Sequence, residues 1–304
     1  MNDPLRIGLI GLDTSHVIAF TELLNDPDHA HHVPGARIVA GFPGGSPDFH
    51  LSASRLEGYT NDLRDRFAVQ IMDSPAAVAD AVDLVFIESC DGRVHLDLFK
   101  QTVASGKPTF IDKPLAVTTN DAREIMRLAN DAKVAVMSAS SLRYYQDLLE
   151  ARATFDRDNP IVGCDAFGPM SIEPTQPGLF WYGIHTVDIV MSVFGTGCAH
   201  VRTMKNDDFD VVTAVWDDGR VATIRGTRTG NGQFGVTLHG KSSSCYVDLT
   251  AVSRPGYATM LESILSALPA GKSDVPQDQM IQVVQLIEAA NKSRVHSGRI
   301  EQLE

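Results

Sequence analysis

The first half of the chain alternates short apolar runs with longer amphipathic stretches. A continuous apolar run such as Leu5–Ile10 is typical of a strand buried on both faces, whereas 118–131 has apolar positions at helical spacing. Strands that alternate with helices in this way predict a parallel sheet with right-handed crossovers. The predicted strands are Leu5–Ile10, Arg37–Ala40, Val69–Met72, Leu84–Ile87, Thr109–Ile111 and Val134–Met137, and the predicted helices are 15–24, 92–105, 118–131 and a segment that begins at Ser74-Pro75.

From residue 160 onward the pattern changes to closely spaced strand candidates. Asp217-Asp218-Gly219 is a hairpin signal between two of them, and Gly230-Asn231-Gly232 is a second turn. Runs of strands joined by tight turns predict a mostly antiparallel sheet with one face covered by helices. The predicted strands are 200–205, 210–216, 221–227, 233–239 and 244–249, and the predicted helices are 178–194, 257–268 and 277–293.

The length of 304 residues suggests two domains, at roughly 100–200 residues for each. We expect a Rossmann dinucleotide-binding domain at 1–118 and a domain for substrate binding and oligomerisation at 119–304, whose C-terminal helix could pack back on the first domain. The expected fold class is α/β. It combines an N-terminal doubly wound parallel sheet with a C-terminal α+β domain that has a mostly antiparallel, open sheet.

The composition excludes some classes of partner. The net charge is −12 without a Lys/Arg-rich block, which argues against nucleic acid and against an anionic membrane surface. The apolar run at the N-terminus is short and follows an acidic start, unlike a signal peptide, and no apolar stretch reaches the ~18 residues of a membrane span. We therefore expect a cytoplasmic protein. The four cysteines have no CxxC or metal-ligand spacing and are expected to be reduced thiols.

The turn after the first predicted strand departs from the G-x-G-x-x-G pattern that binds a pyrophosphate. Gly11 is present, but Asp13 and His16 stand where the second and third glycines would be. Asp13, Thr14 and Ser15 could simply cap the following helix, or the two hydroxyls could donate to a phosphate. The Asp13 carboxylate would repel that phosphate unless it turns away. His16 could offset the charge, or could be a packed histidine.

The end of the second predicted strand carries no carboxylate for the ribose hydroxyls of a dinucleotide. The loop there contains Gly44, Gly45 and Ser46. This loop could approach a 2′-phosphate, which would favour NADP, or it could be only a turn. The cofactor is therefore expected to be NAD or NADP, with the choice left open.

Three histidines, His29, His31 and His32, precede the second strand and raise the question of a metal site. A fourth ligand at suitable spacing is not evident, and the stretch is typical of a loop between a helix and a strand. We therefore predict that this chain has no metal site.

The segment Phe110–Leu115 reads Phe-Ile-Asp-Lys-Pro-Leu and resembles the Gfo/Idh/MocA family, the group of glucose–fructose oxidoreductase and inositol dehydrogenase. That family has Glu-Lys-Pro at the end of the fifth Rossmann strand, and this chain has Asp112, Lys113 and Pro114. The resemblance extends from the lead-in at His95 and 104–108 to the helix that contains 287–293. The chain is identified as a divergent branch whose first turn reads Gly-Leu-Asp-Thr-Ser-His.

The chemistry of Lys113 can be argued without the resemblance. Removal of a hydride from an alcohol needs a base, or a charge that stabilises the developing alkoxide. A lysine at the carboxyl edge of a parallel sheet lies at the ligand-binding crevice, and Asp112 beside it could share a proton network. The alternative is a surface lysine with a proline that ends the strand. The resemblance implies that Lys113 is catalytic.

The family's second motif has an aspartate, then glycine, histidine and a further aspartate. Gly183, His185 and Asp188 match it, but Trp181 stands at the position of the catalytic aspartate. His185 and Asp188 share a helix face, so Asp188 could orient the imidazole. His185 is the candidate for proton transfer or substrate binding, or a packed interface histidine. Tyr182 could substitute as a catalytic donor, or form with Trp181 an aromatic wall for a sugar-like ligand.

The resemblance also implies further contacts. In relatives the segment 138–143 borders the substrate, where Ser140 and Arg143 would suit a polyol or a carboxylate, although a loop and a helix cap are the plain alternative. In relatives the end of the fourth strand contacts the nicotinamide ribose, whereas capping is the alternative for this chain. The residues assigned to cofactor binding are Gly11, Asp13, Thr14, Ser15, His16, Gly44, Ser46, Glu88, Ser89, Asp91, His95, Asp112 and Lys113, and those assigned to substrate binding are Ser140, Arg143, Trp181, His185 and Asp188.

The predicted function is hydride transfer between NAD or NADP and a secondary alcohol or carbonyl of a sugar, cyclitol or related polyol. Relatives pair through the open face of the second sheet, which implies a homodimer or homotetramer, and Val211, Thr213 and Val215 would suit that face. The departures at Asp13 and Trp181, together with the missing carboxylate for the ribose, leave a second hypothesis, a catalytically degenerate ligand-binding or regulatory protein. Glycoside cleavage through transient oxidation is a third.

Overall fold

A computed structural model describes residues 3–250 and 254–303 of the chain. The described residues form two compact units. The first unit contains the chain up to Ala116, Asn120–Ala139 and Tyr257–Gln277, and the remaining described residues form the second unit.

The first unit is built on a six-stranded, fully parallel sheet in the order β3-β2-β1-β4-β5-β6. This doubly wound order reverses direction between β1 and β4, which places a ligand crevice at the carboxyl ends of those strands. Strand β4 is apolar and buried throughout, and the last four residues of β1 are buried, as expected for strands covered on both faces. The strands are β1 (Leu5–Ile10), β2 (Ala36–Phe42), β3 (Gln70–Ile71), β4 (Leu84–Ile87), β5 (Thr109–Ile111) and β6 (Val136–Met137), and the helices are α1 (His16–Asn25), α2 (His50–Phe67), α3 (Pro75–Ala81), α4 (His95–Thr102) and α5 (Thr119–Ala132).

The apolar pattern predicted this sheet but missed helix α2. Of the eighteen residues of α2, Ser52 and Leu63 are the buried ones, so the helix lacks the apolar stripe that marks an amphipathic helix. The cap of α3 is as predicted, because the Ser74 hydroxyl accepts from the Ala77 N–H at 3.1 Å and Pro75 is the first helical residue.

The second unit contains a seven-stranded sheet in the order β12-β11-β7-β10-β9-β8-β13. It is mostly antiparallel, as predicted, but β7 and β10 run parallel. One face of this sheet packs against α7. The strands are β7 (Ile161–Pro169), β8 (Cys198–Lys205), β9 (Phe209–Trp216), β10 (Val221–Thr227), β11 (Gly235–Gly240), β12 (Ser244–Asp248) and β13 (Glu301–Gln302), and the helices are α6 (Gln146–Ala153), α7 (Gly183–Phe194) and α9 (Gln277–Val295). Helix α8 (Gly256–Ala267) lies before α9 in the chain.

The sequence pattern missed strand β7, which lies between β11 and β10. Its inward side chains are small, and a Cβ at Gly168 would lie 2.3 Å from the Phe234 ring, so β7 has no row of large apolar residues. As a consequence, the turn at 230–232 connects strands that do not pair. The Asp217–Gly219 turn does close a hairpin, in which Trp216 N–H donates to Arg220 C=O at 2.9 Å.

The two units differ from the expected division at residue 118. Strand β6 completes the first sheet, so that unit continues to residue 139. The late segment that returns to the first unit is Tyr257–Gln277, which contains most of α8, whereas α9 belongs to the second unit from Asp278 onward. Within 3–250 and 254–303, no helix combines the length and apolar character needed to cross a membrane.

Candidate functional site

The turn after β1 is packed backbone against backbone. Gly11 has a φ of 87°, and a Cβ there would lie 2.5 Å from the Ser89 nitrogen, so a side chain would not fit. Gly11 N–H donates to Phe42 C=O at 3.0 Å and Leu12 N–H donates to Pro43 C=O at 2.7 Å. The turn is therefore held between the ends of β2 and β4, at the crevice that the strand order predicts.

The Asp13 carboxylate turns into the protein. It is fully buried, and it accepts hydrogen bonds from the Ser52 hydroxyl at 2.6 Å and from the Cys90 N–H at 3.0 Å. These donors satisfy the carboxylate inside the protein, as a buried charge requires. Ser15 stands at the cap position of α1 without a side-chain capping bond, while Thr14 Oγ1 accepts from the His16 N–H at 3.4 Å. Capping by all three residues, the alternative raised above, is thus not what the structure has.

The loop after β2 contains an unsatisfied hydroxyl. Gly44 and Gly45 have φ values of 64° and 95°, and Ser46 N–H donates to Ser52 Oγ at 2.8 Å. Ser46 Oγ itself is buried and has no hydrogen-bond partner within the described chain. In doubly wound folds the ribose of a dinucleotide lies at this strand end. An orphaned hydroxyl at this position fits a ribose or phosphate oxygen as its partner.

Three side chains meet at the carboxyl edge of the sheet, and we call them the edge cluster: His16, Glu88 and Asp112. They come from the start of α1 and from the residues after β4 and β5. His16 Nδ1 lies 2.8 Å from Asp112 Oδ2 and 4.0 Å from Glu88 Oε2. Glu88 and Asp112 are 0% and 2% exposed. Both Glu88 carboxyl oxygens lack a hydrogen-bond partner among the described residues.

The two carboxyls of the edge cluster have opposite pKa shifts. Burial, together with the charges of Asp112 and Asp13, raises the pKa of Glu88 well above its ordinary value, although the Lys113 ammonium opposes the shift. Burial also raises the pKa of Asp112, but the charges of His16 and Lys113 and the hydrogen bond from His16 outweigh it and lower the pKa to about 2. Asp112 therefore ionises more readily than Glu88, whose burial favours the neutral form.

Lys113 follows Asp112 at the same edge, partly exposed, and the Lys113–Pro114 peptide bond is cis. The fully buried His95 contacts the main chain of this turn. Its Nδ1 lies 2.8 Å from Pro114 O and its Nε2 lies 2.8 Å from Ser89 O. Since both ring nitrogens contact main-chain carbonyls, His95 positions the two strand ends. The sequence had instead predicted a direct contact between His95 and the cofactor.

Asp91 also has a structural partner. Its buried carboxylate accepts from the Arg93 guanidinium at 2.7–3.1 Å, and the same guanidinium donates to Asp48. The Asp91 N–H donates to Ser89 Oγ at 3.4 Å. Glu88 and Asp91 are the two carboxyl residues predicted at the end of β4, and Glu88 lacks a hydrogen-bond partner for its carboxyl among the described residues.

The second unit contains a buried polar network. Both oxygens of Asp188 accept from Arg143, at 2.9 Å from Nε and 2.7 Å from Nη2, and Asp188 Oδ2 also accepts from the Ser140 N–H at 2.9 Å. Gln279 Oε1 accepts from Arg143 Nη1 at 3.0 Å, and Gln279 Nε2 donates to Met191 C=O at 2.7 Å. Bidentate pairing and the additional hydrogen bonds satisfy both buried charges.

His185 is held by Ser140. Its Nδ1 lies 2.8 Å from Ser140 Oγ, and its ring contacts Tyr182 and Phe234 edge to face at 5.3 and 5.9 Å between centroids. The sequence suggested that Asp188 orients this imidazole. The structure gives that position to Ser140 instead, because the Asp188 carboxylate accepts from Arg143 and from the Ser140 main chain. Trp181, which takes the place of the family aspartate, directly precedes Tyr182 at the start of α7.

Sequence reasoning missed several residues that shape these sites. Ser52, the partner of Asp13, lies in the unpredicted helix α2, and Gln279 was part of a predicted helix without an assigned role. Tyr257 packs against His16 with ring centroids 5.0 Å apart. Local patterns do not reveal these contacts, because each joins residues distant in sequence.

Two other regions are separate from these sites. His29 Nδ1 accepts from the His31 N–H, and His32 Nδ1 lies 3.0 Å from Leu23 O, so the three histidines bond locally. A surface groove of about 580 Å³ lies in the second unit, and no predicted site residue lines it. Its lining residues are Leu149, Arg152, Ala153, Phe155, Asp156, Pro160, Ile161, Val193 and Arg220.

Comparison with known proteins shows which sequences and folds the chain resembles. Residues 50–140 match the model of a family described as "Oxidoreductase family, NAD-binding Rossmann fold", GFO_IDH_MocA. An uncharacterized protein of Saccharomyces cerevisiae is 22% identical over 284 residues, which are 83% of this chain and 76% of that protein. The inositol 2-dehydrogenase of Paracoccus denitrificans is 30% identical over 136 residues, 40% of this chain and 38% of that enzyme.

A solved structure extends the similarity to the whole fold. The scyllo-inositol dehydrogenase of Lactobacillus casei, with bound NAD(H) and scyllo-inositol, superimposes with a TM-score of 0.81 and 12% identity. The match covers 99% of this chain and 99% of that enzyme. At this identity the match shows that the two proteins share a fold, including both sheets.

Proposed function

We propose that this chain, whose residues 50–140 match the Gfo/Idh/MocA oxidoreductase family, transfers hydride between NAD or NADP and the secondary alcohol or carbonyl of a polyol. The substrate class is a sugar, a cyclitol or a related polyol. The observation that carries this proposal is Lys113, which stands beside the ionised Asp112 at the carboxyl edge of the parallel sheet. Inositol dehydrogenases among the similar proteins support the substrate class.

The residues of the first unit fit a dinucleotide. The turn at Gly11 leaves no room for a Cβ, so backbone N–H groups can approach a phosphate. The Asp13 carboxylate is buried and bonded to Ser52, and the Ser46 hydroxyl has no hydrogen-bond partner among the described residues. The nicotinamide, when bound, accepts or returns the hydride. The loop after β2 has no carboxylate, so the choice between NAD and NADP depends on how Ser46 and its glycines meet the ribose.

The chain's own residues then supply the proton chemistry. Lys113 stabilises the alkoxide that develops as the substrate hydroxyl loses its proton. We assign His185, whose Nδ1 is engaged by Ser140, to the transfer of that proton. Asp188, which is paired with Arg143, accepts from the Ser140 N–H and holds Ser140 in position. We assign Tyr182, whose ring contacts His185, and Trp181 to an aromatic wall for the ligand. In this scheme His185 takes over the role of the aspartate that Trp181 replaces.

We also propose that copies of the chain associate through the second sheet, as a homodimer or homotetramer. Val211, Thr213 and Val215 alternate with the buried residues of β9 and lie on its less buried face. A row of such residues would suit pairing with a second sheet. Light scattering of the purified protein at several concentrations measures the oligomeric state directly.

The first experiment measures dinucleotide binding. Unfolding is followed with NAD, NADH, NADP and NADPH in turn, and the preferred cofactor at 100 times its Kd should raise the free energy of unfolding by about 2.7 kcal/mol. No stabilisation by any of the four would contradict the proposed function.

The second experiment measures turnover on a panel of inositols and sugars. Lys113→Ala should lower kcat by a factor of about 100 to 10,000, whereas Lys100→Ala, at an exposed lysine paired with Asp97, should leave turnover unchanged. Dinucleotide binding without turnover of any polyol would favour the degenerate ligand-binding or regulatory protein.

A further inference from the structure

We propose that His16, Glu88 and Asp112 form a binding site for a divalent transition-metal ion at the carboxyl edge of the first sheet. This site goes beyond the proposed function and does not depend on it, since it is tested by metal content. It also revises the prediction from the sequence that the chain has no metal site.

The ligand atoms lie close to metal-binding positions. One atom from each of the three side chains falls within 4.8 Å of the other two. Metal–ligand bonds of about 2.0–2.2 Å place neighbouring ligand atoms about 3.0–3.4 Å apart. The His16–Asp112 distance of 2.8 Å is slightly shorter than such a spacing, and the distance of 4.0 Å from His16 Nδ1 to Glu88 Oε2 is longer, so each of these two distances needs to change by no more than about 1 Å.

The carboxyl group of Glu88 is the second observation that indicates a ligand. It is fully buried, and both of its oxygens are without a hydrogen-bond partner in the described residues. Other buried carboxylates are satisfied: Asp13 by Ser52 and the Cys90 N–H, Asp188 by Arg143, and Asp210 by Arg228 and Arg294. A buried carboxyl without hydrogen bonds is costly, and a bound cation would compensate it.

The three ligands are held by rigid elements. His16 begins α1, and its ring stacks on Phe20 with centroids 5.6 Å apart and packs against Tyr257. The carboxyls follow two adjacent parallel strands, β4 and β5, so their main chains are hydrogen-bonded in register. Such support keeps the site from depending on loop ordering.

The ligand chemistry indicates the class of ion. One imidazole with two carboxylates suits Zn²⁺, Mn²⁺ or Fe²⁺, and the two negative charges balance a divalent ion. Lys113 is the competing cation, because its charge acts on both Glu88 and Asp112. Three protein ligands leave a coordination position for solvent or for a bound molecule, as in metal sites that act on ligands.

The test uses the untagged, full-length protein after chelator treatment. The protein is dialysed separately against Zn²⁺, Mn²⁺ and Mg²⁺, and bound metal is measured by mass spectrometry and the affinity by calorimetry. We expect one Zn²⁺ or Mn²⁺ ion per chain, and a loss of affinity of at least about 100-fold in Glu88→Gln and in His16→Asn. Cobalt substitution adds a spectroscopic readout, because loss of the His16 imidazole should change the visible spectrum of bound Co²⁺.

Two matched variants control for surface binding. His31→Asn removes a histidine of the local cluster near β2, and Glu22→Gln removes a carboxylate paired with the exposed Arg66; both should bind metal like the unmodified chain. Asp112→Asn serves as a further ligand variant if His16→Asn does not fold. Failure of the unmodified protein to bind any of the ions, or binding that Glu88→Gln and His16→Asn do not change, would overturn the proposal. Glu88 would then simply be a buried, protonated acid.

Discussion

The two units of this protein each bury a cluster of charged residues, but they treat the charges in opposite ways. In the second unit, Asp188 and Arg143 meet in a bidentate pair, and Ser140 and Gln279 satisfy their remaining hydrogen bonds. In the first unit, Glu88 is equally buried, yet both of its carboxyl oxygens lack a hydrogen-bond partner among the described residues. The Asp188–Arg143 network therefore has all of its hydrogen bonds, whereas the Glu88 carboxyl does not.

This contrast separates positioning from binding. A satisfied buried ion pair holds neighbouring groups in one geometry, and removal of one partner leaves an uncompensated charge. For a buried carboxyl without hydrogen bonds, in comparison, burial raises the pKa and favours the protonated form. We therefore expect the second unit to respond to substitution mainly with lost stability, and the edge cluster mainly with changed pH and metal dependence.

The largest effect is expected from Asp188→Ala. The substitution removes the carboxylate that pairs with the Arg143 guanidinium, whose side chain is 8% exposed. It should lower the free energy of unfolding by about 3–5 kcal/mol. Urea denaturation measures this change. Asp218→Ala is the matched control, because Asp218 pairs with Arg220 at the surface, and its effect should stay below about 1 kcal/mol. Equal effects of the two substitutions would mean that the Asp188 network does not stabilise the unit.

A smaller effect of opposite sign is expected from Glu88→Gln in metal-free protein. The folded-state pKa of Glu88 is raised, so its stability contribution is fully present below the unfolded pKa of about 4.3 and is lost as pH rises through the folded pKa. Glutamine resembles the protonated acid and has no such loss.

The variant should therefore equal the unmodified chain near pH 4 and exceed it in stability at higher pH, by about 1.4 kcal/mol for each unit of pKa difference. Urea denaturation across this pH range, with chelator present, provides the measurement. Added Zn²⁺ should reverse the order by stabilising the unmodified chain alone. A pH-independent difference would show that Glu88 does not titrate as its burial implies.

The smallest effect is expected from Ser140→Ala. The substitution removes the hydroxyl that holds His185 Nδ1 but keeps the main-chain N–H that donates to Asp188. We expect a loss of stability of about 1 kcal/mol and an altered tautomer balance of the His185 ring, observed as nitrogen chemical shifts by NMR. Unchanged imidazole shifts would mean that Ser140 does not orient the ring.

The sequence predicted the elements whose pattern is local. Continuous apolar runs located β1, β4 and β5 to the residue, and alternation located β10 equally well. The sequence pattern did not predict helix α2 or strand β7, because α2 has almost no buried apolar residues and the buried residues of β7 are small. Lys113, His185 and Asp188 were found through motifs at fixed spacing, whereas the partner of each depended on contacts that spacing does not encode.

The sequence by itself determined the alternation that makes the parallel sheet and the Asp-Lys-Pro segment at its edge, since both depend on neighbours along the chain. Only the tertiary structure decided which side chains meet. His16, Glu88 and Asp112 are separated by up to 96 positions, and they come together because β1, β4 and β5 are adjacent in the sheet and end at one edge. Tertiary packing also placed the Asp13 carboxylate against the Ser52 hydroxyl and the His185 ring against the Ser140 hydroxyl. Strand order and burial choose such partners, and no local pattern contains that information.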